Sequence, residues 1–153
     1  MKKIMLLMTF VCVFFLTGCG NYSMGKEVNI KTENIIYKVN SYKVVDVNEV
    51  LSQGKYLALN VSVTNNTDQT IRYFNVGTLL LKPSKDAKVE DSYVDTTILT
   101  DAIGEIEPGK TETGNIYFNV DHYEEGMVLE ITANSAYSDP IHADKYKYYI
   151  DIK

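Results

Sequence analysis

Between Tyr56 and Thr64 the chain alternates without a fault, Leu57, Leu59, Val61 and Val63 being separated by Ala58, Asn60, Ser62 and Thr64. Successive side chains on an extended backbone point to opposite faces, so a period of two with one apolar set describes a strand buried on one side only. Such a strand cannot stand alone. Its apolar row needs a second layer to cover it, and its backbone needs partners along the edges.

Candidates for those partners recur along the chain. Ile35 to Asn40 and Tyr42 to Val47 read as one or two strands broken near Asn40-Ser41, Val76 to Lys82 is an apolar run of strand length, and Tyr93 to Leu99 is a weaker strand. Further on, Gly114, Ile116, Phe118 and Val120 face one way, with Asn115, Tyr117 and Asn119 on the other side. Met127, Leu129, Ile131 and Ala133 interleave with Val128, Glu130 and Thr132, and Tyr146, Tyr148, Ile150 and Ile152 alternate with Lys145, Lys147, Tyr149 and Asp151. Turn chemistry separates these runs. The stretch Asn65 to Gln69 can bond its own backbone and predicts a hairpin or tight corner before pairing resumes at Thr70 to Phe74. In Glu107-Pro108-Gly109-Lys110, proline presets φ and glycine supplies the positive φ of a type II turn. Pro83 to Asp91 and Asp121 to Gly126 read as loops, and only Glu49 to Gln53 hints at a helical turn. Roughly seven short strands without a helical period predict an all-β antiparallel sandwich.

The N-terminus is of a different kind. Met1-Lys2-Lys3 is a charged start, Ile4 to Leu16 is apolar, and Leu16-Thr17-Gly18-Cys19 puts small residues before a cysteine. The run is shorter than the roughly 20 apolar residues of a membrane span and has the layout of a secretory signal. Leu16-Thr17-Gly18-Cys19 is similar to the bacterial lipobox. That likeness implies a diacylglyceryl thioether on Cys19, cleavage before it, and lipid anchorage on the extracytoplasmic face of the cell membrane. Residues 1–18 are then a leader and residues 34–153 the β-sandwich. Residues 19–33 are expected to be the lipidated cysteine and a polar tether reaching some 40 to 50 Å at about 3.3 to 3.6 Å per residue.

Several features together resemble a known domain. Gly54-Lys55-Tyr56 opens the alternating strand, Val63-Thr64-Asn65-Asn66-Thr67 closes it, and Ile106-Glu107-Pro108-Gly109 is followed by Gly114 and Phe118. From about Ile35 to Ala133 the chain resembles the immunoglobulin-like domain of small Gram-positive lipoproteins of the DUF4352 type. The resemblance implies a sandwich fold and an envelope location, and it brings no catalytic residues with it.

Charge and composition bound the function. The formal net charge is −5, and a leader that removes Lys2 and Lys3 without any acid leaves −7. A phosphate backbone is repelled by such a surface, so nucleic acid is not an expected partner. Of the two cysteines, Cys12 lies in the leader and Cys19 would be alkylated, which leaves no thiol for disulfides or catalysis. No Gly-x-Ser-x-Gly element, catalytic Ser-x-x-Lys or phosphate-binding glycine loop is present, and no cofactor is expected.

Weaker candidates remain. His122 and His142 lie near Asp121, Glu124, Glu125, Asp139 and Asp144, an oxygen-rich set for a cation if their loops meet, although solvated acidic loops are the plainer reading. Glu105 with Glu107, or Glu124 with Glu125, are carboxylate pairs of the kind a wall-directed hydrolase uses. Among the twelve tyrosines, Tyr56, Tyr117 and Tyr149 fall on the polar phase of their strands and are expected to be exposed. Exposed tyrosines suit interaction surfaces, so the three are candidates for one interaction face. The reading is a non-enzymatic binding module for an envelope protein or glycan. The alternatives are the hydrolase and a regulatory or immunity lipoprotein acting on a membrane protein.

Overall fold

The computed structural model describes residues 21–72, 76–87, 92–99, 101–120 and 126–153. The alternating strand becomes β4 (Gln53–Asn65), placed between β3 (Ile35–Asn48) and β9 (Thr111–Asn119), with β2 (Val28–Ile30) outside β3. The second sheet runs in the order β1 (Asn21–Ser23), β11 (Lys147–Asp151), β10 (Val128–Ala133), β6 (Gly77–Lys82) and β7 (Ser92–Tyr93). A two-stranded piece, β5 (Ile71–Arg72) with β8 (Glu105–Ile106), is a separate sheet whose Ile71 and Ile106 join the same core. The neighbours pair antiparallel except β1 with β11, which is parallel. The result is an immunoglobulin-like β-sandwich with one parallel edge.

The core lies between the two large sheets and is built from the rows that alternation identifies. Leu57, Leu59, Val61 and Val63 meet Ile116 and Phe118 on one side of the layer, and Leu79, Leu81, Leu129, Ile131, Tyr148 and Ile150 fill the other. A fully buried side chain of this size contributes about 1.5 to 3 kcal/mol, so these rows dominate the stability of the fold.

Three local features depart from expectation in whole or in part. The interruption at Asn40-Ser41 is a β-bulge, not a break: β3 is continuous, and the register shifts between Val39 and Ser41. Of the two forms expected at Asn65 to Gln69, the tight corner is present and the hairpin is not, since Ile71 and Arg72 pair with Ile106 and Glu105. Asn65 holds that corner, donating to the carbonyls of Gln69 (2.7 Å) and Ile106 (2.9 Å) and accepting from the Thr67 amide (2.9 Å). Glu49 to Gln53 is not helical. It is the tip of the β3–β4 hairpin, where Glu49 and Ser52 exchange backbone bonds of 2.9 and 3.4 Å. The expected turn at Glu107–Lys110 is present, with Gly109 at φ 72° and the Lys110 amide donating to Glu107 O at 3.1 Å.

The expected tether is folded. Val28 and Ile30 are fully buried, β2 pairs with β3, and Tyr22 stacks obliquely on Tyr148 with ring centroids 6.4 Å apart. Valine and isoleucine at a spacing of two are the signal that was diluted by their polar neighbours. Residues 21–33 are therefore part of the sandwich, not a spacer.

The weak strand expected over Tyr93 to Leu99 is also different. Only Ser92 and Tyr93 pair with β6, after which Val94 bridges to Phe118 and the chain leaves the edge. Residues 94–99 and 101–103 form a strap that departs from the free edge of β9 at Asp95 and returns to it at Asp101. The bonds that mark the two points are Asp95 N to Tyr117 O (2.7 Å) and Asn115 N to Asp101 O (2.8 Å). On its return the strap lies so close to β9 that a Cβ on Gly114 would sit 2.6 Å from Ile103 Cα and N. Gly104 has open space around the same position.

Gly114→Ala is expected to cost about 1 to 3 kcal/mol, read as a lowered thermal midpoint, because backbone has to move. Gly104→Ala should stay within about 0.5 kcal/mol of the parent. Ile30→Ala is expected to cost about 2 to 5 kcal/mol, whereas the same change in a spacer would cost nothing.

Candidate functional site

The outer face of the four-stranded sheet is where the strap lies. Alternation sends Tyr56, Ala58, Asn60, Ser62 and Thr64 of β4 and Thr111, Thr113, Asn115 and Tyr117 of β9 to this face, and the pairing Ala58 with Tyr117 and Asn60 with Asn115 sets them side by side. The half nearest the hairpin tip is apolar and covered. Ile98 descends from the strap onto Tyr56, Ala58 and Tyr117, with Val45 and Val47 at the margin, to make a second, small core.

A hydrogen-bond network ties the strap down. Asp95 Oδ2 accepts from Ser52 Oγ and from the Tyr56 hydroxyl, both at 2.9 Å, and Asp95 Oδ1 accepts from the Thr97 amide at 2.9 Å and its hydroxyl at 2.6 Å. The Ser52 and Thr97 hydroxyls are in direct contact. Partial burial pushes the Asp95 carboxyl up, but the hydrogen bonds from Thr97, Tyr56 and Ser52 together outweigh it and hold the group below the usual carboxylate range. Asp95 is therefore an anionic latch.

The other half of the face is polar and open. The bulge residue Asn40 donates to Asn60 Oδ1 (3.1 Å) and Ser62 Oγ (2.8 Å), and Asn60 donates to Asn115 Oδ1 (3.2 Å). Hydroxyl pairs Ser62–Thr113 (2.8 Å) and Thr64–Thr111 (2.7 Å) continue the row. A recess of about 230 Å³ lies over Ser41, Tyr42, Lys43, Ala58, Asn60 and Asn115. A larger one of about 690 Å³ lies between the strap and the β5–β8 piece, lined by Arg72, Thr96, Ile98, Leu99, Ala102, Ile103, Gly104 and Glu105.

At the end of the hairpin the surface changes character. Val50 is 97% exposed and Leu51 78%, and Leu99 of the strap is 78% exposed with its amide directed at Glu49 Oε2 at 3.3 Å. Turn tips favour Gly, Asn and Asp because these residues satisfy turn geometry and water. Two aliphatic side chains at a tip meet neither need.

The three candidate tyrosines do not form one face. Tyr56 and Tyr117 share the covered half of the four-stranded sheet, while Tyr149 lies on the other sheet, paired with Glu130 and Asn21, with the Lys85 ammonium 4.8 Å from its ring centre. They are 3%, 6% and 8% exposed. Strand phase assigns the face of each correctly, but cover by a distant segment decides exposure. Cys19 lies outside the described residues.

Residues 22–143 match the family described as "Domain of unknown function (DUF4352)". The chain belongs to the DUF4352 family. The match begins inside β1, in agreement with a domain that includes the first two strands. Among solved structures this DUF4352 domain is similar to the yjhA protein of Bacillus subtilis, with 17% identity over 86% of this chain and 99% of that one and a TM-score of 0.57. The secreted protein MPT63 of Mycobacterium tuberculosis has 14% identity over 88% of this chain and 99% of that one, also at 0.57. An uncharacterized beta-sandwich protein of Clostridium difficile 630 has 13% identity over 88% and 95%, at 0.52. At such identities the likeness is one of fold. No curated protein matches the chain.

The acidic candidates in the DUF4352 domain are largely engaged. Asp139 accepts from His142 Nδ1 at 3.0 Å and from the Tyr146 hydroxyl at 3.1 Å, and Asp144 pairs with Lys147 at 3.4 Å. The bond from His142 is the main reason the Asp139 carboxyl lies below its ordinary range. Among the described residues no group of three or more His, Cys, Asp or Glu is placed to hold a metal ion. Asp121, His122, Glu124 and Glu125 lie outside the described residues. Of the first carboxylate pair, Glu105 is bound by Arg72 at 3.0 Å.

The latch has a pH signature. A carboxyl whose folded pKa is depressed stabilises above its unfolded value and loses that contribution as pH falls through the folded one. The thermal midpoint should therefore fall as pH drops through the ordinary carboxylate range and below it, and Asp95→Asn should flatten part of that slope, Asp139 supplying another part with the same sign. Tyr56→Phe, which removes one bond to Asp95, is expected to cost about 1 kcal/mol at neutral pH.

Proposed function

We propose that this DUF4352 domain is a non-enzymatic binding module, held by lipid on Cys19 to the outer face of the bacterial membrane, that engages an envelope protein through its hairpin-and-strap end. The observation that carries the reading is the set of exposed aliphatic side chains at that end, Val50 and Leu51 on the tip and Leu99 on the strap, whose amide is bonded to Glu49 of the tip. Exposed apolar side chains gathered at one spot mark contact surfaces. The latch supports the same reading, because Asp95 secures the strap to Ser52 and Tyr56 and so presents Leu99 and the tip as one unit. Preorganisation of this kind lowers the entropy lost on binding. Glu49 lies at the tip itself, while Asp46 is paired with Lys55 at 3.9 Å and Lys43 lines the same recess, so the complementary feature of the partner is an apolar pocket. Export and anchorage rest on the leader and the Leu16-Thr17-Gly18-Cys19 box.

A second reading is favoured by the open polar half of the sheet, whose row of Asn40, Asn60 and Asn115 offers donors and acceptors in the pattern a hydroxyl-rich glycan uses. The two are separable. A photo-crosslinking residue at position 50 in intact cells should join the domain to one discrete protein, and Leu51→Asp should abolish the product without changing the thermal midpoint, since the side chain is exposed. An unchanged product with Leu51→Asp, or no product at all, would discard the tip. Loss of wall-glycan retention in Asn60→Ala with Asn115→Ala, with the tip variants inert, would establish the polar face instead. Labelled palmitate should enter the native chain and not Cys19→Ser.

A further inference from the structure

The first strand limits how far the domain can stand from a membrane. Asn21 is already paired with Tyr149, and a single residue, Gly20, separates it from Cys19. Two residues reach at most about 7 Å. An anchor on Cys19 therefore brings the edge of the five-stranded sheet onto the lipid surface.

The direction of β1 then selects which end is lowermost. It runs parallel to β11, from Asn21 beside Tyr149 to Ser23 beside Asp151, so its beginning points back toward the start of β11 at Lys147. That end carries helix α1 (Ser135–Ser138) and the 3-10 segment Pro140–Tyr146, which leads directly into β11. It is opposite the hairpin tip: Ser135 bonds Glu33 beyond the end of β2, whereas the far end of β10 lies with Met127 and Ile152.

Two large apolar side chains stand uncovered on this helical segment, Ile141 at 87% and Tyr137 at 66% exposure. The Tyr137 hydroxyl meets that of Thr78, which fixes the ring in place. The nearby acids are engaged, Asp144 in an ion pair with Lys147 at 3.4 Å and Asp139 as acceptor from His142 Nδ1 at 3.0 Å, and Lys145 adds a second basic side chain on the same segment. A tyrosine and an aliphatic side chain beside basic residues are what the membrane interface accepts.

We propose that this end of the sandwich lies on the bilayer, with Ile141 and Tyr137 entering its interface, and that the hairpin tip consequently points away from the membrane. The inference rests on the reading of Cys19 as lipidated. The hairpin is 14 residues long on its β3 side, about 45 Å at about 3.3 Å per residue, so Val50 and Leu51 are held well clear of the lipid and free for a partner in the wall layer.

The test uses the mature, lipidated protein, which begins at Cys19, in vesicles of phosphatidylethanolamine and phosphatidylglycerol. Ile141→Cys and Leu51→Cys variants each carry an environment-sensitive fluorophore, acylation of Cys19 leaving the introduced thiol as the one that reacts. Nitroxide-bearing lipids should quench the label at position 141 and leave that at position 51 bright. Quenching at 51, or at neither position, overturns the orientation while leaving the anchor intact. Mass spectrometry of the N-terminal peptide is read in parallel. Absence of a diacylglyceryl group on Cys19 removes the anchor itself and the orientation with it.

Discussion

The long antiparallel pairing of β3 with β4 organises everything else in this domain. It brings two strands of 14 and 13 residues into register from Ile35–Asn65 at one end to Asn48–Gln53 at the other. Because β4 is also bonded to β9 on its other edge, its backbone groups are satisfied along nearly its whole length, and its inner row of Leu57, Leu59, Val61 and Val63 is presented as a flat apolar surface. The five-stranded sheet exists to cover that surface. Short strands such as β1 and β2 persist because they add to edges already fixed by this hairpin, and isolated strands of three residues would not hold.

The same pairing creates the problem that the strap solves. A strand buried on one face leaves Tyr56, Ala58 and Tyr117 on the other, and these are too apolar to be left in water. Residues 94–99 and 101–103 leave regular pairing along β9 and bring Ile98 over them, and the latch around Asp95 compensates with hydrogen bonds between side chains. The small residue Gly114 is what lets the returning chain approach β9 closely enough for Ile103 to reach the main core. The strap is thus a structural cover on one side and the support of an exposed apolar end on the other.

Function in this reading depends on the two ends being chemically different. One end has a tyrosine and an isoleucine on a short helical segment close to the point where the chain enters the sheet. The other has aliphatic side chains on a hairpin tip, with Glu49 bonded to the Leu99 amide beside them. Between them the polar row of Asn40, Asn60 and Asn115 interrupts the apolar character of the outer face. A domain with this distribution can be seated on one surface and contacted at another without either contact hindering the other.

Much of this was written in local sequence. Period-two rows specified the strands and which side of each is buried, as Leu57 to Val63, Ile116 to Phe118 and Leu129 to Ala133 show, because side-chain direction on an extended backbone depends only on position. The turn at Pro108-Gly109 was equally legible, since φ preferences are local. The lipobox-like Leu16 to Cys19 is a matter of sequence alone and owes nothing to the fold. Tertiary structure decided what covers each face and where the short strands dock. Tyr56, Tyr117 and Tyr149 carry the pattern of exposed residues and are buried, because Ile98 and Lys85 arrive from segments far away in sequence. Val28 and Ile30 look like part of a tether and are core, because β3 offers them an edge. Exposure, register partners and the meeting of distant loops are properties of the assembled layers, and no local period encodes them.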